Sequence, residues 1–182
     1  IGFSCFYGFK SLVKITIPDT IHKIGESSFR GCSSLIDIII PDNVTEIGNY
    51  AFSECKSLQK IKISDGVKKI GEYAFCQCSS LENIVIPKNV KIINRLTFLN
   101  CSSLQDIKFS NSITEIGEYA FQGCSSLTKI NIPNSVTNIG ADAFYGCKNL
   151  NKINISNKVV ILEKGVFGGC ENLNEITIPY GM

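Results

Sequence analysis

The stretch IGESSFRGCSSLIDIIIPDNVTE, residues 24–46, is followed at once by IGNYAFSECKSLQKIKISDGVKK, residues 47–69. The second reads as a loose copy of the first, position for position. Stepping from Ile1 by 23 residues lands on Ile24, Ile47, Ile70, Ile93, Ile116, Ile139 and Leu162, and no step needs a gap. Seven full repeats fill residues 1–161, and a partial repeat of 21 residues runs to Met182. The consensus is I-G-x-x-A-F-x-G-C-S-S-L-x-x-I-x-I-P-x-x-V-x-x.

The apolar columns are nearly uniform. Phe6, Phe29, Phe52, Phe75, Phe98, Phe121, Phe144 and Phe167 form one and account for eight of the eleven phenylalanines. Leu12 to Leu173 form a second, Ile15 to Ile176 a third, and Cys32 to Cys170 a fourth in which Phe9 takes the first place. A unit this short cannot bury its own apolar side chains, but it can bury them against copies above and below. The period therefore predicts a mainly-β repeat solenoid, a single domain over residues 1–182 with no internal linker.

Within each repeat the segment L-x-x-I-x-I alternates. In LIDIIIP, residues 35–41, Ile38 and Ile40 face one way while Asp37 and Ile39 face the other. Its β-branched residues favour a strand. Stacked in parallel at ~4.8 Å, eight such strands predict a sheet roughly 35 Å long. Pro18, Pro41, Pro87, Pro133 and Pro179 end the strand, with serine in the other three copies. Turns such as PDN and SDG follow, and V-x-x-I leads the chain back as a short extended piece. The segment x-x-A-F-x-G-C is too short for a stable helix of its own, and one helical or 3-10 turn is expected there. Gly8, Gly31, Gly123, Gly146 and Gly169 are expected to close it in a left-handed conformation, with Glu54, Gln77 and Asn100 in the same slot elsewhere. A positive φ is also expected in the column of Gly2, Gly25, Gly48, Gly71, Asn94, Gly117 and Gly140. Glu163 breaks that column, and Gly165 two places on suggests a local rearrangement of the last repeat.

Composition excludes some classes. With 44% hydrophobic residues and a net charge of +2, the chain is neither disordered nor basic enough to argue for nucleic acid. No apolar run of ~18 residues predicts a membrane insertion. No signal peptide is visible, and neither end reads as a capping repeat, so a fragment of a longer chain is expected.

The string L-x-x-I-x-I-P-x-x-V-x-x-I-G-x-x-A-F-x-x-C resembles the BspA-like leucine-rich repeats, and CSSLTKINIPNSVTNIGADAFYGC, residues 124–147, is its cleanest copy. The resemblance implies a right-handed solenoid with a parallel sheet on its concave side and short turns or 3-10 helices on its convex side. It also implies surface or secreted proteins of the surface-antigen and adhesin type, whose partners are extracellular matrix or cell-surface proteins or glycans. It carries over no catalytic residue, and a binding face on the sheet is a property of the fold class.

The nine cysteines are the loudest chemical signal. A 23-residue spacing sets them in a line, where zinc needs ligands converging on a point. Their side chains run in parallel, which is poor geometry for a disulfide. They read as small buried hydrophobes with free thiols, and Cys76-Gln77-Cys78 reads as incidental. His22, the single histidine, falls in a variable surface slot away from any expected thiol. No phosphate-cradling glycine motif occurs. The recurrent serine pairs suit backbone hydrogen bonding, not a nucleophile needed once. No catalytic residue, metal site or cofactor is expected. Asn43-Val44-Thr45, Asn100-Cys101-Ser102 and Asn154-Ile155-Ser156 are glycosylation sequons that matter only on a secretory route.

Two variable columns are expected to face out of the sheet. One reads Lys14, Asp37, Lys60, Asn83, Asp106, Lys129, Lys152 and Glu175; the other reads Thr16, Ile39, Lys62, Val85, Lys108, Asn131, Asn154 and Thr177. They are either ladder pairs of opposite charge, such as Lys14–Asp37–Lys60, Asp106–Lys129 and Lys152–Glu175, or a recognition strip. In a strip, Lys60, Lys62 and Lys108 supply positive charge and Ile39 and Val85 leave apolar side chains in water. Tyr50, Tyr73 and Tyr119, joined by Leu96 and Leu99, cover the outer turn or form a contact patch. The functions left standing are a non-enzymatic binding or adhesion module and a structural or intracellular scaffold. Open ends also favour end-to-end self-association.

Overall fold

The computed structural model describes residues 1–178, and Pro179, expected to end the last strand, lies outside them. The chain winds through about seven turns as a parallel, mainly-β coil. Strands are numbered in chain order. Six two-residue strands lie where V-x-x-I brings the chain back: β1 (Lys23–Ile24), β3 (Glu46–Ile47), β5 (Lys69–Ile70), β7 (Ile92–Ile93), β9 (Glu115–Ile116) and β11 (Asn138–Ile139). Seven strands carry the I-x-I motif: β2 (Asp37–Ile40), β4 (Lys60–Ile63), β6 (Asn83–Val85), β8 (Asp106–Lys108), β10 (Lys129–Asn131), β12 (Lys152–Asn154) and β13 (Glu175–Thr177).

All pairing is parallel and in register at an offset of one repeat, as in Ile38 with Ile61 and Ile84 with Ile107. The I-x-I strands do not make one unbroken eight-strand sheet. They pair as β2–β4, β6–β8 and β10–β12–β13, and the first repeat contributes a single bridge from Lys14 to Asp37. The V-x-x-I pieces pair as well, into a second parallel ladder that the hydrophobic pattern did not disclose.

The outer turn is not helical. Its N–H groups alternate between two kinds of acceptor. Ser28, Arg30 and Cys32 donate three residues back, to Gly25, Ser27 and Phe29. Ser27, Phe29 and Gly31 donate across to Asn49, Ala51 and Ser53 of the next repeat, at 2.8–2.9 Å. A helix would spend all of these donors along the chain. Spending alternate ones across repeats makes the turn a third stacked layer, which corrects the expected helical or 3-10 turn.

Left-handed residues set this geometry at two positions. The expected slot holds: Gly8, Gly31, Gly123, Gly146 and Gly169 have φ of 68–73°, and Glu54, Gln77 and Asn100 follow at 57–63°. The second position is Ser4, Ser27, Tyr50, Tyr73, Leu96, Tyr119 and Asp142, all at 52–58°. The column of Gly25, Gly48 and Gly71 is not left-handed, contrary to expectation. Glycine is used there because an added Cβ would meet the preceding repeat's backbone at 2.5–2.7 Å. Gly165, at φ 68°, occupies the ordinary second left-handed position, but the expected local change is present just before it: no strand forms at 161–162, and the N–H groups of Val160 and Glu163 make none of the cross-repeat backbone bonds of the earlier repeats.

The core is a set of columns. Phe29, Phe52, Phe75, Phe98, Phe121 and Phe144 are fully buried. From Phe6 to Phe167 consecutive rings lie 5.1–5.8 Å apart and within 9° of parallel. That is offset stacking continued through the molecule. Phe98→Ala is expected to destabilise the chain by ~3–5 kcal/mol in urea unfolding, as a fully buried aromatic truncation. A loss below ~1 kcal/mol would place the column outside the cooperative core.

Candidate binding surfaces

The cysteine column is structural. Each thiol from Cys32 to Cys170 donates to the phenylalanine carbonyl 26 residues before it, at 3.1–3.2 Å. Phe29 shows why. Its carbonyl already accepts the N–H of Cys32 at 3.1 Å, and the Cys55 thiol occupies the second lone pair. A residue here must be small, apolar in bulk and a donor, and cysteine meets all three demands. The thiols are free, and burial pushes those of Cys55, Cys78, Cys101, Cys124 and Cys147 far above the usual range. They are held as neutral thiols, not as nucleophiles. Among the described residues no group of three or more His, Cys, Asp or Glu side chains is placed to hold a metal ion.

Serine and threonine hydroxyls also bond backwards. Ser102 and Ser125 donate to the carbonyls of Ser79 and Ser102, and Thr114 and Thr137 to those of Lys91 and Thr114. His22 is exposed, with Nδ1 3.4 Å from the Asn43 carbonyl. Of the sequon asparagines, Asn43 donates its amide to the Asp19 carbonyl, while Asn100 and Asn154 are also exposed.

Both variable columns lie on the solvent side of the I-x-I strands. Lys14, Thr16, Asp37, Lys60, Lys62, Asn83, Lys108, Lys129, Asn131, Lys152 and Asn154 are exposed, and Asp106 is half-buried. Ile39 and Val85 stand out of the sheet at 63% and 59% exposure, values that rule out a core role for either. The expected ladder of charge pairs is mostly absent. Lys152–Glu175 forms at 2.6 Å, but among the described residues Asp37 pairs with neither Lys14 nor Lys60, and Asp106 does not pair with Lys129. In-register Cα partners hold short Asp and long Lys side chains at different heights above the sheet, and water competes for both. Two shallow depressions lie on this face. One, of about 360 Å³, surrounds Ile39 with Lys14, Asp37 and Lys62; the other, of about 370 Å³, surrounds Val85 with Asn83, Asp106 and Lys108.

Charge is instead paired off the sheet. Glu46 sits between Lys23 at 2.9 Å and Lys69 at 3.4 Å, and the Lys23 hydrogen bond leads the effects holding its carboxyl below the usual range. On the outer turn, Arg30 lies over the rings of Tyr7 and Tyr50 and pairs with Glu54 at 2.8 Å. Tyr50 stacks on Tyr73 at 4.5 Å, and Arg95 lies over Tyr119 and pairs with Glu118 at 2.9 Å. The tyrosines thus cover the outer turn. The arginines between them were not foreseen, since they recur only twice and carry no period.

The repeat geometry now has a counterpart among known proteins. A model of the BspA-type leucine-rich repeat region matches in six copies, over residues 1–114 and 91–182. The chain belongs to the BspA-type leucine-rich repeat family. It is similar to a leucine-rich repeat protein of T. pallidum, with 34% identity and a TM-score of 0.78, covering 80% of this chain and 71% of that one. It is also similar to a leucine-rich repeat protein of Bacteroides ovatus, with 31% identity and a TM-score of 0.58, covering 97% of this chain and 57% of that one. No curated protein matches the sequence.

The buried thiols give two expected outcomes. A disulfide reagent at pH 8 labels Cys5 in the native chain, while the seven buried cysteines react only after denaturation. Stability has the opposite pH sign to that of a paired carboxylate. The folded thiols ionise later than unfolded ones, so their stabilisation is complete below the unfolded pKa of about 8.5 and is lost as pH rises beyond it. The urea midpoint is therefore expected to fall between pH 8 and 10.5, and rapid labelling of all cysteines at pH 8 would contradict the assignment.

Proposed function

We propose that the chain is a non-enzymatic binding module, acting outside the cell, that presents the solvent face of its I-x-I strands to a protein or glycan partner. The observation carrying this reading is the contrast between the two sides of one strand. The inward columns are isoleucine at all but Phe109 and are buried through most of the central repeats, whereas the outward columns change from repeat to repeat. A pure spacer gains nothing from Ile39 and Val85 exposed to water, or from Lys60, Lys62 and Lys108 without ion-pair partners among the described residues. Exposed apolar groups beside unpaired cations suit a contact that desolvates the first and neutralises the second. The family resemblance supports an extracellular matrix or cell-surface partner. The buried thiols suit secretion, because none lies free to form a mixed disulfide except at the first turn and near the last.

The test is a triple substitution, Lys60→Glu, Lys62→Glu and Lys108→Glu. All three side chains are exposed, so the melting temperature is expected to stay within a few degrees. Binding of the labelled chain to immobilised matrix proteins and to cells is expected to fall at least tenfold. Undiminished adhesion would show that the contact lies elsewhere.

A further inference from the structure

Between β1 and β11 the second ladder has one break, and a cavity lies in it. At the other junctions two backbone bonds flank the paired strands. Lys68 N–H donates to Thr45 at 2.9 Å and Gly71 N–H to Ile47 at 2.8 Å; Thr114 N–H donates to Lys91 at 2.8 Å and Gly117 N–H to Ile93 at 2.7 Å. Between β5 and β7 the equivalent bonds, from Lys91 N–H to Lys68 and from Asn94 N–H to Ile70, do not form, and the strands do not pair.

Asn94 is the cause. It stands where Gly25, Gly48, Gly71, Gly117 and Gly140 pack against the preceding repeat too closely for any Cβ. Asn94 has a Cβ, and its φ is not left-handed. The two backbones therefore cannot approach as they do elsewhere. Its side-chain amide crosses the gap and donates to the Ile70 carbonyl at 2.6 Å, replacing the missing backbone bond.

The opening measures about 510 Å³ and is lined by Lys68, Lys69, Asn89, Lys91, Ile92 and Asn94. This size falls within the range of small-molecule sites. Its residues depart from the repeat together. Lys68 and Lys91 occupy the column of Thr45, Thr114 and Thr137, and Ile92, 39% exposed, stands where Glu46 and Glu115 do. No carboxylate lines the opening. Of the nearby acids, Glu46 pairs with Lys23 and Lys69 and Asp65 with Lys88, while Glu115, in register with Ile92, lies outside the lining and has no ion-pair partner among the described residues. Lys68 and Lys91 have no ion-pair partner among the described residues.

We propose that this break is a binding site for an apolar anion, an aliphatic or aromatic group carrying one carboxylate, sulfonate or phosphate. The anionic end lies between the Lys68 and Lys91 ammonium groups and accepts the unused N–H of Lys91. Charge-assisted bonds of this kind are the stronger class. The apolar body covers Ile92. The site is separate from the sheet face and stands or falls independently of the adhesive reading.

The test is an NMR titration of the 182-residue chain, followed through its backbone amides. The probes are 4-phenylbutyrate and, as a charge-reversed control, 4-phenylbutylamine. Phenylbutyrate is expected to shift amides at 68–70 and 91–94, and the amine is not. The doubly substituted K68E/K91E chain is expected to bind at least tenfold more weakly. Asn94→Gly restores the repeat pattern and the backbone bond to Ile70, so it is expected to close the opening. It should likewise weaken binding at least tenfold while keeping or raising the melting temperature. The Lys60, Lys62 and Lys108 substitutions are expected to leave the phenylbutyrate response unchanged. Absence of shifts at millimolar phenylbutyrate, equal shifts with the amine, or undiminished affinity in Asn94→Gly would each overturn the proposal.

Discussion

The structure depends on one constraint: each side chain in the core meets a copy of itself one repeat above and below. The phenylalanine column shows it most plainly, with rings spaced 5.1–5.8 Å and nearly parallel from Phe6 to Phe167. Backbone spacing must match ring spacing for this to work. Parallel strands lie about 4.8 Å apart, close to the distance at which aromatic rings stack with an offset. Every other feature serves that match. The outer turn sends alternate N–H groups across repeats, the cysteine thiol fills the spare lone pair of the phenylalanine carbonyl, and glycine lets one chain lie against the next. The long-range order is built entirely from contacts between nearest neighbours.

Much of this was legible in the sequence because a period is a positional signal. Columns of Phe, Leu, Ile and Cys could be placed in the core by counting alone, and the outward position of Asp37 and Ile39 followed from strand alternation. What could not be read depends on where backbone donors go. A six-residue turn looks the same whether its N–H groups bond along the chain or across it, so the outer layer was expected to be helical. Glycine was likewise ambiguous. A residue without a Cβ serves a positive φ and a close approach equally well, and Gly25 turned out to serve the second. The left-handed column of Tyr50, Tyr73 and Leu96 gave no warning, since bulky residues seldom adopt that conformation. The charge pairs were misread for a different reason. Adjacency in a ladder does not bring exposed side chains together when each pair contributes only ~0.2–1 kcal/mol.

Function, on this account, resides in departures from the repeat. A residue that recurs in every turn answers to stacking, and one that appears once is free to answer to something else. On the sheet face those departures are Ile39, Val85 and the exposed lysines around them. On the return side they are Lys68, Lys91, Ile92 and Asn94, gathered where the second ladder opens between β5 and β7. The two surfaces use different departures and different elements of the same turn.

Excising one unit tests the stacking constraint most directly. Removing residues 116–138 joins Glu115 to Ile139 and preserves the column register, whereas removing 119–138 deletes nearly as much chain and breaks it. Thermal unfolding of both, followed by circular dichroism, is the measurement. The expected result is a cooperative transition for the first, with its remaining core thiols still protected, and no cooperative transition for the second. Equal behaviour of the two, whether both folded or both unfolded, would contradict the claim that register between identical neighbours holds this protein together.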